Sequence, residues 1–134
     1  MDKIENIVHK ETQSTEEGFD LTVSNIYMVE TAGRVDFGGG ELEDAELAPV
    51  ETKKRNEEDD YGWWNLSEGT YVVEHNESLN GEEPVTVRTR TAVLERGAYH
   101  PTVHVTELPH LPFTVGGDGL RVKENARIST VVGD

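Results

Sequence analysis

Alternation is what most constrains this chain. From Trp63 onward, apolar and polar residues exchange places every second position, in short runs broken by turn residues. "GTYVVEHNESL" (69–79) sets Tyr71, Val73 and His75 on one face, because successive side chains of a strand point to opposite sides. "EPVTVRTRTAVL" (83–94) continues the pattern as a strand, with Val85 and Val87 facing one way and Thr86, Arg88 and Arg90 the other. "PTVHVTEL" repeats it, and "LRVKENARISTVV" supplies two short strands around Lys123-Glu124-Asn125. Asn80-Gly81 and the "GGDG" of 116–119 are turn signals. Upstream, Phe19 to Val29 ("FDLTVSNIYMV") is apolar, β-branched and too short for a long helix, so it also predicts a strand. Short strands at this spacing predict an all-β sandwich or jelly-roll-like barrel. A length of 134 residues suits one domain, 1–134. Within it the glycines, proline and dense carboxylates of 38–60 predict an acidic surface excursion. Residues 1–18 are polar, with Ile4, Ile7 and Val8 allowing a turn or two of helix or an extended arm.

Charge restricts the partners. Asp and Glu total 27 against 12 Lys and Arg, a net charge of -15. Such a surface repels nucleic-acid backbones and anionic membranes, so neither is expected as a partner. A small phosphorylated ligand stays compatible if cations are gathered locally. Self-repulsion of this size is relieved where the screening length is short, which predicts a salt-loving source. Cysteine is absent, which excludes disulfides and thiolate metal sites and suits a reducing compartment. No apolar run approaches the ~20 residues of a membrane span, and "MDKIENIVHK" lacks a signal-peptide pattern. A cytoplasmic location is the expectation.

Several segments invite a chemical reading. Gly38-Gly39-Gly40 lacks the Lys-Ser/Thr of a phosphate loop and is followed by Glu41, Glu43 and Asp44, so a turn is expected. His100 and His104 have helical metal-pair spacing, but Pro101 and a strand context argue against one. Trp63-Trp64 offers either a base-stacking surface or core and interface anchors. No Gly-x-Ser-x-Gly elbow supports serine hydrolase chemistry. Arg88 and Arg90, at i and i+2 of a strand, project from one face. They form either a phosphate grip, helped by Thr89 and Thr91, or a solvated face paired with acidic neighbours.

Four stretches in order bear on this choice: "GFDLTV" (18–23), "GTYVVEHNESL" (69–79), "RTAVLERGA" (90–98) and "ENARISTVV" (124–132). Their order resembles the dUTPase and dCTP deaminase superfamily, particularly its archaeal members, over most of the chain from residue 13. The resemblance implies a dUTPase-type β jelly-roll assembled as a homotrimer, with sites at subunit boundaries. It also implies a pyrimidine deoxynucleoside triphosphate as ligand, with Mg²⁺ carried by the triphosphate. The reaction would be hydrolysis of dUTP to dUMP and pyrophosphate, or deamination of dCTP. Asp20 of the Gly-x-Asp-Leu motif would lie near the metal–triphosphate. Arg90, Thr91 and Gly97 match the family's Arg-Ser-Ser-Leu…Gly motif and would contact substrate, with Ala92 in place of the second serine. Where the family carries an Asp-x-Gly-Tyr/Phe hairpin, this chain reads "VTELPHLPFTV", whose one carboxylate, Glu107, would orient the attacking water. The family's C-terminal glycine-rich arm has no counterpart. These departures leave an alternative, a catalytically inactive trimer that binds nucleotide in a regulatory or scaffold role.

Overall fold

The computed structural model describes residues 3–133; Met1, Asp2 and Asp134 lie outside the described residues. β1 (Ile4–Glu5), the single-turn α1 (Lys10–Gln13) and β2 (Ser14–Thr15) lead into the 14-residue β3 (Gly18–Thr31). Next come β4 (Glu46–Pro49), β5 (Trp63–Leu66), β6 (Gly69–His75) and β7 (Ser78–Leu79). β8 (Val85–Thr89) runs into α2 (Thr91–Leu94). β9 (Ala98–Tyr99), β10 (Val103–Val105), β11 (Leu111–Val115), β12 (Leu120–Lys123) and β13 (Arg127–Val132) complete the order. The protein is an all-β molecule, 48% strand and 6% helix, built on a curled antiparallel sheet.

One strand organises the sheet. The first half of β3 pairs with β13, and its second half pairs with β6, both antiparallel. The register slips between Val23 and Asn25, where the partner changes; such a bulge bends a strand and lets it turn the sheet. The path β10-β8-β13-β3-β6-β11-β9 thus folds over on β3, with β2 and β4 added along its flanks. β1–β7 and β12–β5 form two further two-stranded pairs. Because β3 is covered on both sides, Phe19 to Val23 are buried without alternation, whereas β6, β8 and β11 alternate as their sequences demand.

The core has two parts. Val23, Ile26, Trp64, Tyr71, Val73 and Phe113 belong to the larger, and Phe19, Leu21, Val85, Val87 and Val131 to the smaller. Each such side chain, fully withdrawn from water, contributes about 1.5–3 kcal/mol. The two tryptophans separate: Trp64 is buried and donates its indole N–H to the Val50 carbonyl at 2.9 Å, while Trp63 stays half-exposed.

The strand expected over 83–94 ends at Thr89. The Arg90 N–H still donates to the Ile128 carbonyl at 2.9 Å, but the Arg90 carbonyl turns to accept from Val93 and Leu94. One helical turn follows, closed by Gly97 at a φ of 84°. The alternation of apolar residues also fits a single amphipathic turn, so tertiary pairing decided between the two. Residues 38–60 are mostly exposed, yet β4 lies among them and pairs with β3. At the N-terminus Ile4 lies in a short strand, and the one helical turn falls at Lys10–Gln13 rather than over Ile4, Ile7 and Val8.

Candidate functional site

The strand order brings residues from four segments onto one patch. Asp20 lies on β3 opposite Thr130 of β13, and Thr130 also lies opposite Arg88 of β8. The Asp20 side chain is 4% exposed, so its charge needs partners. Its Oδ1 accepts the Thr130 hydroxyl at 2.8 Å. Its Oδ2 is 3.3 Å from Arg90 Nε and 3.3 Å from Arg127 Nη1. Arg127 also donates to the Thr12 carbonyl at 2.9 Å, tying the N-terminal turn to the site. Beside them, Glu17 Oε2 accepts from Arg88 at 2.7 Å and from the Thr91 hydroxyl at 3.3 Å. The pocket between these groups measures about 380 Å³, and Glu16, Glu17, Asp20, Glu95, Arg90 and Arg127 supply its charges.

A buried carboxylate braces this patch from behind. Glu77 is 3% exposed. It accepts the Thr22 N–H at 2.8 Å, the Thr22 hydroxyl at 2.6 Å and Gln13 Nε2 at 2.8 Å. Gln13 Nε2 also donates to the Asp20 carbonyl at 2.9 Å. Both oxygens of Glu77 are satisfied, as a buried charge requires, and the backbone carrying Asp20 is held from two sides. Gly18 is needed next to it. Its φ is 144°, and a Cβ there would run into the Val131 carbonyl oxygen.

Of the residues singled out in the sequence, Asp20, Arg90 and Thr91 line this pocket. Gly97 does not; it ends α2 in a left-handed conformation that L side chains rarely adopt. Glu107 is exposed. Val103 pairs with Val87 and Val105 with Val85, so the chain leads Glu107 away from Arg90. Within one chain the two are not brought together. Arg127, Thr130 and Glu17 join the site without having been picked out, although Arg127 and Thr130 belong to the "ENARISTVV" stretch. The Gly38–Gly40 turn is no phosphate cradle. Asp36 already accepts the Gly39 and Glu41 N–H groups at 2.9 Å each. His104 is exposed and bonds Thr86, while His100 is buried. No three His, Asp or Glu side chains among the described residues could hold a metal ion.

A second polar cluster lies inside the molecule. His100 Nδ1 is 2.8 Å from the Pro101 carbonyl and therefore donates to it. The Nε2 of the neutral ring accepts the Ser129 hydroxyl at 2.7 Å. Ser129 Oγ in turn accepts from His75 Nε2 at 2.8 Å. That leaves His75 Nδ1 a buried lone pair with no partner among the described residues. Burial, then the neighbouring His100 and His110, push the His75 pKa down to about 4, and burial lowers that of His100. The trio is a neutral brace between β6 and β13 at physiological pH.

Comparison with curated proteins gives this geometry a family. Over 132 residues, 93% of the chain, it is 30% identical to the probable deoxyuridine 5'-triphosphate nucleotidohydrolase of Methanosarcina acetivorans, covering 74% of that protein. The chain belongs to the dUTPase superfamily. The similarly named protein of Methanosarcina mazei is 39% identical over 77 residues, 58% of the chain, and that of Archaeoglobus fulgidus 32% over 97 residues, 71% of the chain. These two matches span only 42% and 53% of the relatives' own lengths. No protein-family model matches the chain. Membership places the chain with proteins of deoxynucleotide metabolism. In the dUTPase resemblance Asp20, Arg90 and Thr91 belong to two separate motifs, and here they line one pocket.

Proposed function

We propose that the Asp20–Arg90–Arg127 pocket binds the triphosphate of a pyrimidine deoxynucleotide and that the chain hydrolyses dUTP to dUMP and pyrophosphate. The pairing of two guanidinium groups on one buried carboxylate carries this reading. Guanidinium forks match phosphate oxygens bidentately. Asp20 holds both in place before ligand arrives, so less ordering cost falls on binding. The pocket is unsuited to a bare cation, since the Asp20 oxygens are already bonded to Thr130, Arg90 and Arg127. It fits Mg²⁺ that arrives on the triphosphate, with Asp20, Glu17 and Glu95 accepting from its water shell. Bound there, the ion would neutralise charge developing on the phosphates. Arg90 and Arg127 would then share themselves between Asp20 and phosphate, and the Thr91 hydroxyl would donate to a phosphate oxygen.

Orientation of the attacking water would fall to Glu107 from a second copy in a homotrimer, because in its own chain it lies far from Arg90. That same placement favours a second reading. If no copy delivers Glu107, the chain is a nucleotide-binding regulatory or scaffold subunit. A product assay with dUTP and with dCTP, in high salt with Mg²⁺, separates them. Pyrophosphate from dUTP supports the hydrolase, ammonia from dCTP the deaminase, and binding without either product the regulatory subunit.

A further inference from the structure

Cations are scarce in this chain, and among the described residues six of the twelve pair with a carboxylate: Lys3, Arg34, Arg88, Arg90, Arg96 and Arg127. Of the other six, five surround one side chain. Lys53, Lys54, Arg55 and Arg121 line a groove of about 680 Å³ with Trp63, and Lys123 lies beside it. None of these five forms an ion pair or donates a side-chain hydrogen bond among the described residues. Arg55 sits over the Trp63 ring at 4.8 Å and Lys123 at 5.6 Å. Among the described residues no carboxylate lines the groove, in a chain with 27 of them. Cations crowded together without a carboxylate repel one another, and dispersing them among the carboxylates would be more stable. Their concentration is therefore a cost of the apo fold that a bound polyanion would remove.

We propose that the Trp63 groove binds a nucleoside polyphosphate at a site separate from the Asp20 pocket. The chemistry of the walls selects this class. Lysine and arginine take the phosphates. The half-exposed indole and Leu120 offer an apolar face for a planar base, which stacks on aromatic rings and on arginine planes. The Asn65 amide supplies a donor and an acceptor for its edge. A nucleic-acid strand fits less well, because phosphates beyond the groove would meet the -15 surface. The site does not depend on hydrolysis. The groove and the Asp20 pocket share no lining residue, but they adjoin through α2 and through a hollow of about 400 Å³ in which Trp63, Arg121 and Lys123 meet Arg90 and Arg127.

The test uses the full chain at the lowest KCl concentration that keeps it folded. ATP, inorganic pyrophosphate and adenosine are titrated separately by calorimetry and by tryptophan emission. Trp64 is buried, so a change in emission reports on Trp63. The expected result is that ATP binds with a change in emission, and more tightly than pyrophosphate or adenosine. The exposed double variant Lys53→Gln/Arg121→Gln should weaken ATP binding roughly tenfold or more. Trp63→Leu should abolish the preference for ATP over pyrophosphate, and Arg90→Ala should leave ATP binding intact. No ATP binding, or binding indifferent to the double variant, overturns the proposal. So does loss in Arg90→Ala equal to that in the double variant, since the groove would then be part of the Asp20 pocket. Tighter binding of a single-stranded oligonucleotide than of ATP, or a change of assembly state in the double variant by light scattering, would reassign the groove and also overturn it.

Discussion

Asp20 shows how one residue can set several others. Its carboxylate is 4% exposed and satisfied by a hydroxyl and two guanidinium groups. Removing a partner therefore acts on the fold and, in the proposed function, on ligand binding. Arg90→Ala leaves Thr130 and Arg127 on Asp20, so the fold should survive. The loss of a charge-assisted phosphate contact should weaken binding of a non-hydrolysable dUTP analogue about 10- to 150-fold, or roughly 1.5–3 kcal/mol. Arg34→Ala is the control, because its ion pair with Glu43 is exposed and Arg34 lines none of the Asp20 pocket. Calorimetry in high salt decides, and equal affinities would return Arg90 to a purely structural role. Gly18 makes the opposite case, a residue that matters for what it lacks. Its φ of 144° and the nearby Val131 carbonyl leave no room for a methyl group. Gly18→Ala should cost about 2–4 kcal/mol in urea denaturation by forcing β3 and β13 apart. A loss under about 1 kcal/mol would mean that the strand ends adjust freely.

Elements are joined here by buried polar groups as much as by apolar ones. His75 of β6 and Ser129 of β13 meet His100 of the segment after β9. The folded His75 pKa of about 4 lies below its ordinary value of 6.5. Between those values the unfolded chain binds the proton and the folded chain does not, so stability falls as pH drops from about 6.5 towards 4. It is fully present above 6.5. The slope is about 1.4 kcal/mol per pH unit per histidine, and His75 alone accounts for a loss of roughly 3 kcal/mol. His100, also lowered, adds in the same direction. In His75→Gln the fall in urea stability over that range should be shallower than in the wild type. An unchanged slope would show that the carboxylates, rather than this trio, govern the acid limb.

Charge governs the molecule as a whole. Among the described ion pairs only six of the 27 carboxylates have a cationic or histidine partner. The rest repel across a surface that water and salt must screen. The Debye length falls from about 10 Å at 0.1 M salt to about 3 Å at 1 M. The thermal midpoint should therefore rise markedly between about 0.1 M and about 2 M KCl. A midpoint flat over that range would remove the case for a salt-loving source.

Strand identity was legible in the residues, because period-2 alternation is written in consecutive positions and needs no knowledge of partners. The all-β class, the buried face of β6 and the turn at Gly116–Gly119 follow from it. Acidity and the absence of cysteine could likewise be read directly, as could the ordered motifs that mark the superfamily. What lay beyond the sequence were meetings between distant positions. Arg90 reaches Asp20 across 70 positions, and Arg127 across 107. Both contacts depend on β13 lying between β3 and β8, an order that no local pattern encodes. The end of β8 at Thr89 was also undecided locally, since alternating residues suit one helical turn as well as a strand. Trp63 and Trp64 are neighbours of the same type, yet the pairing of β5 with β12 buries one and leaves the other half-exposed among cations from three separate segments. Consecutive residues thus determined which strands form. The order and register of those strands decided which charges meet, because Coulomb and hydrogen-bond contacts depend on distance in space rather than along the chain.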